Sequence, residues 1–235
     1  MYLFNKGVGK VLMAFLCVSI LFMNVTTLTC YAEELTEETT NIEQTGGYID
    51  PNAPKVAYIF IGDSRTVGMN NYVHVDALPN VYVIAKVAKG YDWLVQSAIP
   101  ELNMIKQTTN YDKYIVICNL GVNDLGNISN YIATLPQLMA EDTRLYWVSV
   151  NPTIDNLTRV QCSSIELFNA QLQPYFQDMN WIDTYSCLKQ VGFKARDGLH
   201  YDADTYTLIF SLIMQSVVMN EYVRENPMPP TPTTP

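Results

Sequence analysis

Short runs dense in Val, Ile and aromatic residues recur through the middle of this chain, each passing directly into a small polar block, with longer amphipathic stretches between them. Residues 56–61, 81–86, 114–120, 145–150 and 181–185 have the length and β-branched content of buried strands. The intervals between them predict helices near 66–72, 93–105, 128–140, 163–176 and 203–223. In the last of these, Tyr206, Ile209, Leu212, Ile213, Ser216 and Val217 recur at helical spacing and mark the face that would lie on a sheet. Strand and helix alternating in this way predict βαβ units and an open parallel sheet with helices on both faces. In such sheets the ligand sits beyond the carboxyl ends of the strands, so the polar blocks that follow the apolar runs are where chemistry is to be sought.

The two ends of the chain have a different character. Lys6 and Lys10 precede an uncharged apolar run of 13 residues, 11–23, broken by Ser19 and followed by small and polar residues up to Ala32. This layout predicts a secretory signal peptide over 1–32, cleaved after Ala32, and hence a secreted or cell-surface protein. The run is short of the roughly 20 residues that cross a bilayer, so no stable membrane span is expected after cleavage. Thr29 precedes Cys30 where lipid attachment calls for a smaller residue. Residues 33–54 are acidic, Thr-rich and poor in large apolar side chains, a flexible spacer; 225–235 form a Pro/Thr-rich tail of polyproline character. Between them, 55–224 is expected to fold as one domain.

Loss of 1–32 removes two lysines and no acidic residue, which takes the net charge from -9 to -11. A surface of that sign repels phosphate backbones, and no Lys/Arg cluster offsets it, so nucleic acid is excluded as a partner. Three cysteines remain, Cys118, Cys162 and Cys187. With no CxxC pair and two histidines in all, a Cys/His metal site is not expected. Cys118, inside an apolar run, has the setting of a small buried hydrophobe, and a Cys162–Cys187 disulfide is an open possibility.

Four polar blocks fall at predicted strand ends. The first strand runs into Gly62-Asp63-Ser64-Arg65-Thr66, the second is followed by Lys89-Gly90-Tyr91, and the third ends in Gly121-Val122-Asn123-Asp124. Arg196-Asp197-Gly198-Leu199-His200 precedes the final helix. A serine hydroxyl is a poor nucleophile unless a base takes its proton as it attacks. His200 is the candidate base, because His74, the other histidine, falls in the loop before the second strand and reads as a surface residue. Asp197, three residues back, can orient the imidazole from its other side. Taken singly, each residue has a structural reading: Ser64 as a helix cap, Gly90 as a turn, Asn123 as an Asx-type loop, Asp197 as a turn cap. Together they bring a nucleophile, a base and an orienter to one rim, with Gly90 and Asn123 beside them.

This set, in this order, resembles the SGNH, or GDSL, hydrolase superfamily, whose blocks are a Gly-Asp-Ser serine, a glycine, a Gly-x-Asn-Asp asparagine and an Asp-x-x-His histidine. The resemblance extends over about residues 55–224 and implies a three-layer α/β/α flavodoxin-like sandwich with a five-stranded parallel sheet. It further implies that the backbone N–H groups of Ser64 and Gly90 and the side-chain amide of Asn123 form the oxyanion hole. An α/β-hydrolase would instead show Gly-x-Ser-x-Gly, and Thr66 stands where the second glycine belongs.

The expected reaction is acyl transfer through an acyl-serine, with no metal and no cofactor. The expected substrate is a small acyl ester, acetyl foremost, on cell-surface or extracellular carbohydrate. Lipid or lysophospholipid esters, O-acyl transfer by the same triad, and a non-catalytic wall-binding module are the alternatives. Arg65 is a candidate for a substrate carboxylate or phosphate, and Tyr91, Trp93 and Tyr201 are candidates for stacking on a sugar ring.

Overall fold

A computed structural model describes residues 55–176 and 180–226; the predicted signal peptide, the spacer up to residue 54 and the tail beyond residue 226 lie outside the described residues. Five strands, β1 (Val56–Gly62), β2 (Val81–Ala85), β3 (Lys113–Asn119), β4 (Thr143–Val148) and β5 (Trp181–Ile182), form one sheet in the order β2-β1-β3-β4-β5, and every pair is parallel. The helices are α1 (Ser64–Val73), α2 (Ile99–Thr108), α3 (Ile128–Thr134), α4 (Cys162–Leu172), α5 (Thr184–Val191) and α6 (Ala203–Glu225).

Period-two alternation along the strands divides the core into two layers. Ile59, Ile61, Val116, Cys118, Leu145 and Trp147 face one side with Leu102, Tyr131, Ile165 and Phe168, so α2, α3 and α4 cover that face. Phe60, Ile115, Ile117, Tyr146 and Val148 face the other with Met69, Leu188, Ile209 and Ile213, so α1, α5 and α6 cover it. The predicted α/β/α sandwich is therefore the observed fold. The predicted stripe of α6 is its buried face, with Tyr206, Ile209, Ile213 and Val217 inside and Leu212 and Ser216 at its margin.

Several boundaries differ from expectation. The fifth strand stops at Ile182, because Asp183 caps α5 by accepting from Ser186 N at 3.0 Å; Tyr185, expected in the strand, lies in that helix. Pro136 and Pro174 shorten α3 and α4, whose predicted last turns are 3-10 turns, Leu135–Leu138 and Gln173–Tyr175. Ahead of α2, a turn at Tyr91–Trp93 passes through a π-helical stretch, Leu94–Ala98. No described helix is long and apolar enough to cross a membrane. All three described cysteines are free thiols, and the Cys162 thiol donates to Thr153 O at 3.2 Å, so the open disulfide is not formed.

Candidate active site

The chain reverses sheet direction between β1 and β3: β2 is added on one side of β1, and β3 to β5 on the other. That switch point is where a doubly wound sheet opens a crevice at its carboxyl edge. Ser64 follows β1 and Gly121 to Asp124 follow β3, so the first and third polar blocks flank it directly.

Gly62 lets β1 turn at once into α1. A Cβ at that position would lie 1.9 Å from Thr66 Oγ1 and 3.0 Å from Asn119 O, so any larger residue would push the strand end off its neighbour. Asp63 caps the helix, accepting from Arg65 N at 2.9 Å. Capping is thus the work of Asp63, not of Ser64. As the first residue of α1, Ser64 has a backbone N–H in the turn that lacks helical acceptors.

The Ser64 hydroxyl is only 8% exposed as a residue and lies 2.8 Å from His200 Nε2. On the far side of the imidazole, Nδ1 lies 2.7 Å from Asp197 Oδ2. Asp197 Oδ1 accepts from His200 N at 2.7 Å and Leu199 N at 3.0 Å, which fixes the carboxylate within its own loop. With Nδ1–H donating to the carboxylate, Nε2 is left to accept the serine proton. Burial pushes the Asp197 carboxyl upward, but the hydrogen bonds from the His200 ring, His200 N and Leu199 N outweigh it and bring its pKa down to about 2. The stabilisation this gives is full above the ordinary value of 3.8 and is lost as pH falls through about 2.

The second and third blocks are tied to each other. Asn123 Nδ2 donates to Lys89 O at 2.8 Å, which uses one of the two amide hydrogens. Asp124 accepts from Tyr91 N at 2.7 Å, Tyr131 OH at 2.8 Å and Asn127 Nδ2 at 3.1 Å. A Cβ on Gly90 would lie 2.3 Å from that held carboxylate, so the close approach of the two loops requires glycine. Lys86 N donates to Gly62 O at 3.1 Å and joins the second block to the first. A hydroxyl paired to an imidazole, itself paired to a carboxylate, is the arrangement in which a serine can be activated to attack a carbonyl.

Two candidates for substrate contact are put to other uses. Arg65 is 3% exposed, and its guanidinium donates to Leu199 O at 3.1 Å and Asn151 O at 2.7 Å, so it cannot meet a substrate anion. Tyr201 is fully buried, and its hydroxyl donates to Pro152 O, so it cannot stack on a sugar. The cause is the antiparallel bridge Ala195–Tyr201, which turns residue 201 inward while its neighbour His200 stays at the rim. Tyr91 is half-buried, edge-on to Tyr131 and bonded to Thr134 Oγ1 at 3.2 Å. His74 is exposed at the end of α1, as expected of a surface histidine.

Tyr91 and Trp93 line a groove of about 460 Å³ with Lys86, Lys89, Gln96 and Asn123. The lysines, and the part that Asn151 and Pro152 play in holding Arg65, were not singled out from sequence. Backbone acceptors leave no signature in residue identity. Among the described residues, no group of three or more His, Cys, Asp or Glu is placed to hold a metal ion.

Asp63 is 2% exposed, and burial raises its pKa to about 6 against the bond from Arg65 N and the charges of Arg65 and His200. Well below 3.8 both folded and unfolded chains hold the proton; from about 3.8 to about 6 stability falls as pH rises, by an amount on the order of 3 kcal/mol. Asn keeps an acceptor for Arg65 N and is a good cap. Asp63→Asn is therefore expected to gain thermal stability over the wild type as pH rises from about 4 to 6, with a plateau above. Melting temperatures of both proteins across that range test this; parallel curves would contradict it.

No family model matches the chain, and no curated protein matches it. Solved structures do. The C-terminal catalytic domain of peptidoglycan O-acetyltransferase A from Streptococcus pneumoniae superposes with a TM-score of 0.51 at 18% identity, over 74% of this chain and 97% of that one. A GDSL-like lipase from Bacteroides thetaiotaomicron superposes with a TM-score of 0.55 at 15% identity, over 77% of this chain and 94% of that one. At these identities the likeness is one of fold, and the chain has the fold of the SGNH/GDSL hydrolases.

Proposed function

We propose that the protein is an exported serine esterase that removes small acyl groups, acetyl foremost, from extracellular or cell-surface carbohydrate through an acyl-serine intermediate. The observation that carries this reading is the relay of 2.8 Å from Ser64 Oγ to His200 Nε2 and 2.7 Å from Nδ1 to Asp197. Ser64 attacks the ester carbonyl while His200 takes its proton; the oxyanion is met by the N–H groups of Ser64 and Gly90 and the remaining amide hydrogen of Asn123. His200 then returns the proton to the leaving alcohol, and water, activated by the same imidazole, releases the acyl group.

A polar leaving group is favoured by the groove beside the oxyanion donors. Lys86, Lys89, Asp92, Gln96, Ser97 and Asn127 offer hydrogen bonds suited to hydroxyls, whereas a long acyl chain would need an apolar wall. The predicted signal peptide would deliver the enzyme to such polymers. Structural neighbours named as a GDSL-like lipase and a peptidoglycan O-acetyltransferase support acyl transfer as the class of chemistry. A second reading, transfer of the acyl group to a sugar hydroxyl, draws on the same groove, which is open enough to seat an acceptor in place of water.

The test compares acetate release from an O-acetylated sugar oligomer with hydrolysis of nitrophenyl acetate and a long-chain nitrophenyl ester by the purified protein. Acetyl esters are expected to be turned over at least about tenfold faster than the long-chain ester; the reverse order would replace this proposal with a lipase. Adding an unacetylated sugar and looking for acylated product separates transferase from hydrolase. Trp93→Ala is expected to raise KM for the sugar ester about fivefold to tenfold, the loss of one stacking contact worth about 1 kcal/mol. Nitrophenyl acetate kinetics are expected to change by less than about twofold. An equal loss on both substrates would assign Trp93 to packing alone.

A further inference from the structure

We propose that Arg65 is a positioning residue, one that fixes the separation of the Ser64 hydroxyl and the His200 imidazole by gripping the loop that carries the histidine. The inference rests on the acyl-transfer reading of the site. Arg65 is bonded covalently to Ser64 on α1, and its side chain crosses to the other half of the pair. Nε donates to Leu199 O at 3.1 Å, the carbonyl immediately before His200. The guanidinium carbon lies 5.1 Å from the centre of the Tyr201 ring, the residue immediately after it. Both neighbours of His200 in the chain are thus held by the side chain next to Ser64.

The grip is anchored from below. Nη1 donates to Asn151 O at 2.7 Å, with Nη2 reaching Pro152 O at 3.5 Å, in the segment that leaves β4. Tyr201 OH donates to the same Pro152 carbonyl, and Thr184 Oγ1 donates to Asn151 Oδ1 at 2.7 Å. Ile154 N, from the next turn, donates to Gly198 O at 2.9 Å, a second tie between this segment and the His200 loop. Only a planar fork can address Leu199 O on one edge and Asn151 O on another while laying its face on Tyr201; an ammonium group offers one point of attachment. His200 itself is otherwise held by a loop with side chains as exposed as Asp197, at 57%. Without the grip, the loop keeps its ties at Gly198 and Tyr201 OH but loses the one at Leu199 O next to His200, and a shift of about an ångström there costs about 100-fold in rate.

Arg65→Lys keeps the buried charge and removes the fork. The expected result is a fall in kcat on nitrophenyl acetate of about 10- to 100-fold, with KM changed less than about twofold. A residue that only supports the fold would move thermal stability without this split, so a double-mutant cycle with His200→Ala decides the matter. If Arg65 acts through His200, Arg65→Lys lowers activity in the wild-type background and changes it less than about twofold where His200 is already absent. Equal losses in both backgrounds would overturn the inference. Should the lysine variant not fold, Tyr201→Leu removes the stacked face together with the hydroxyl's bond to Pro152 O and enters the same cycle, with an expected loss of about 3- to 10-fold confined to proteins that retain His200. Full activity of His200→Ala would instead overturn the acyl-transfer reading, leaving the two failures distinguishable.

Discussion

Ser64→Ala is expected to lower kcat for ester hydrolysis by about 10⁴- to 10⁶-fold while leaving the fold intact. The size follows from the geometry: among the described hydrogen bonds, His200 Nε2 has the Ser64 hydroxyl as its partner, so removing that oxygen leaves the base with no nucleophile to activate. The fold survives because helix α1 is capped by Asp63, so the hydroxyl of Ser64 is spared that duty. Purified wild-type and variant proteins, compared on nitrophenyl acetate with matched melting curves, provide the measurement. A variant that keeps wild-type turnover would remove Ser64 from the mechanism.

Asp197→Asn is expected to cost about 10³- to 10⁴-fold in kcat with little change in KM. The asparagine oxygen can still accept from Leu199 N and His200 N, so the loop keeps its shape. Its amide nitrogen, however, would face Nδ1 as a donor and favour the tautomer that carries hydrogen on Nε2. That nitrogen then has no lone pair for the serine proton. Asp197→Ala should lose a comparable amount by a different route, since two backbone N–H groups lose their acceptor and the loop loosens. A loss below about tenfold in the asparagine variant would mean that the carboxylate does not set the tautomer.

The parts of the fold that were legible in the sequence are those governed by burial. Parallel strands covered on both faces must be apolar throughout, so β1, β3 and β4 stand out as continuous runs, and the polar blocks after them fall at the carboxyl edge without further information. Boundaries were harder. The aromatic and β-branched residues of Trp181 to Tyr185 straddle the end of β5 and the start of α5, and the Asp183 cap, a local competition between turn and strand, marks the change. Within the site, His200 stood out because the chain has two histidines, Ser64 because its block follows the first strand, and Asp197 because it lies three residues before His200; the structure brings these three side chains together. Arg65 and Tyr201 were misplaced because side-chain direction depends on pairing that residue identity does not carry. Arg65 binds carbonyl oxygens, which every residue possesses, and Tyr201 is turned inward by a single bridge to Ala195.

The most direct test of the central claim, that Ser64 attacks as a nucleophile driven by His200, is covalent labelling by a fluorophosphonate followed by mass mapping of the modified peptide. The predicted result is one adduct per chain, on Ser64, formed at least about 100-fold more slowly in His200→Ala. An adduct on another residue, or none in a protein that still cleaves esters, would contradict it.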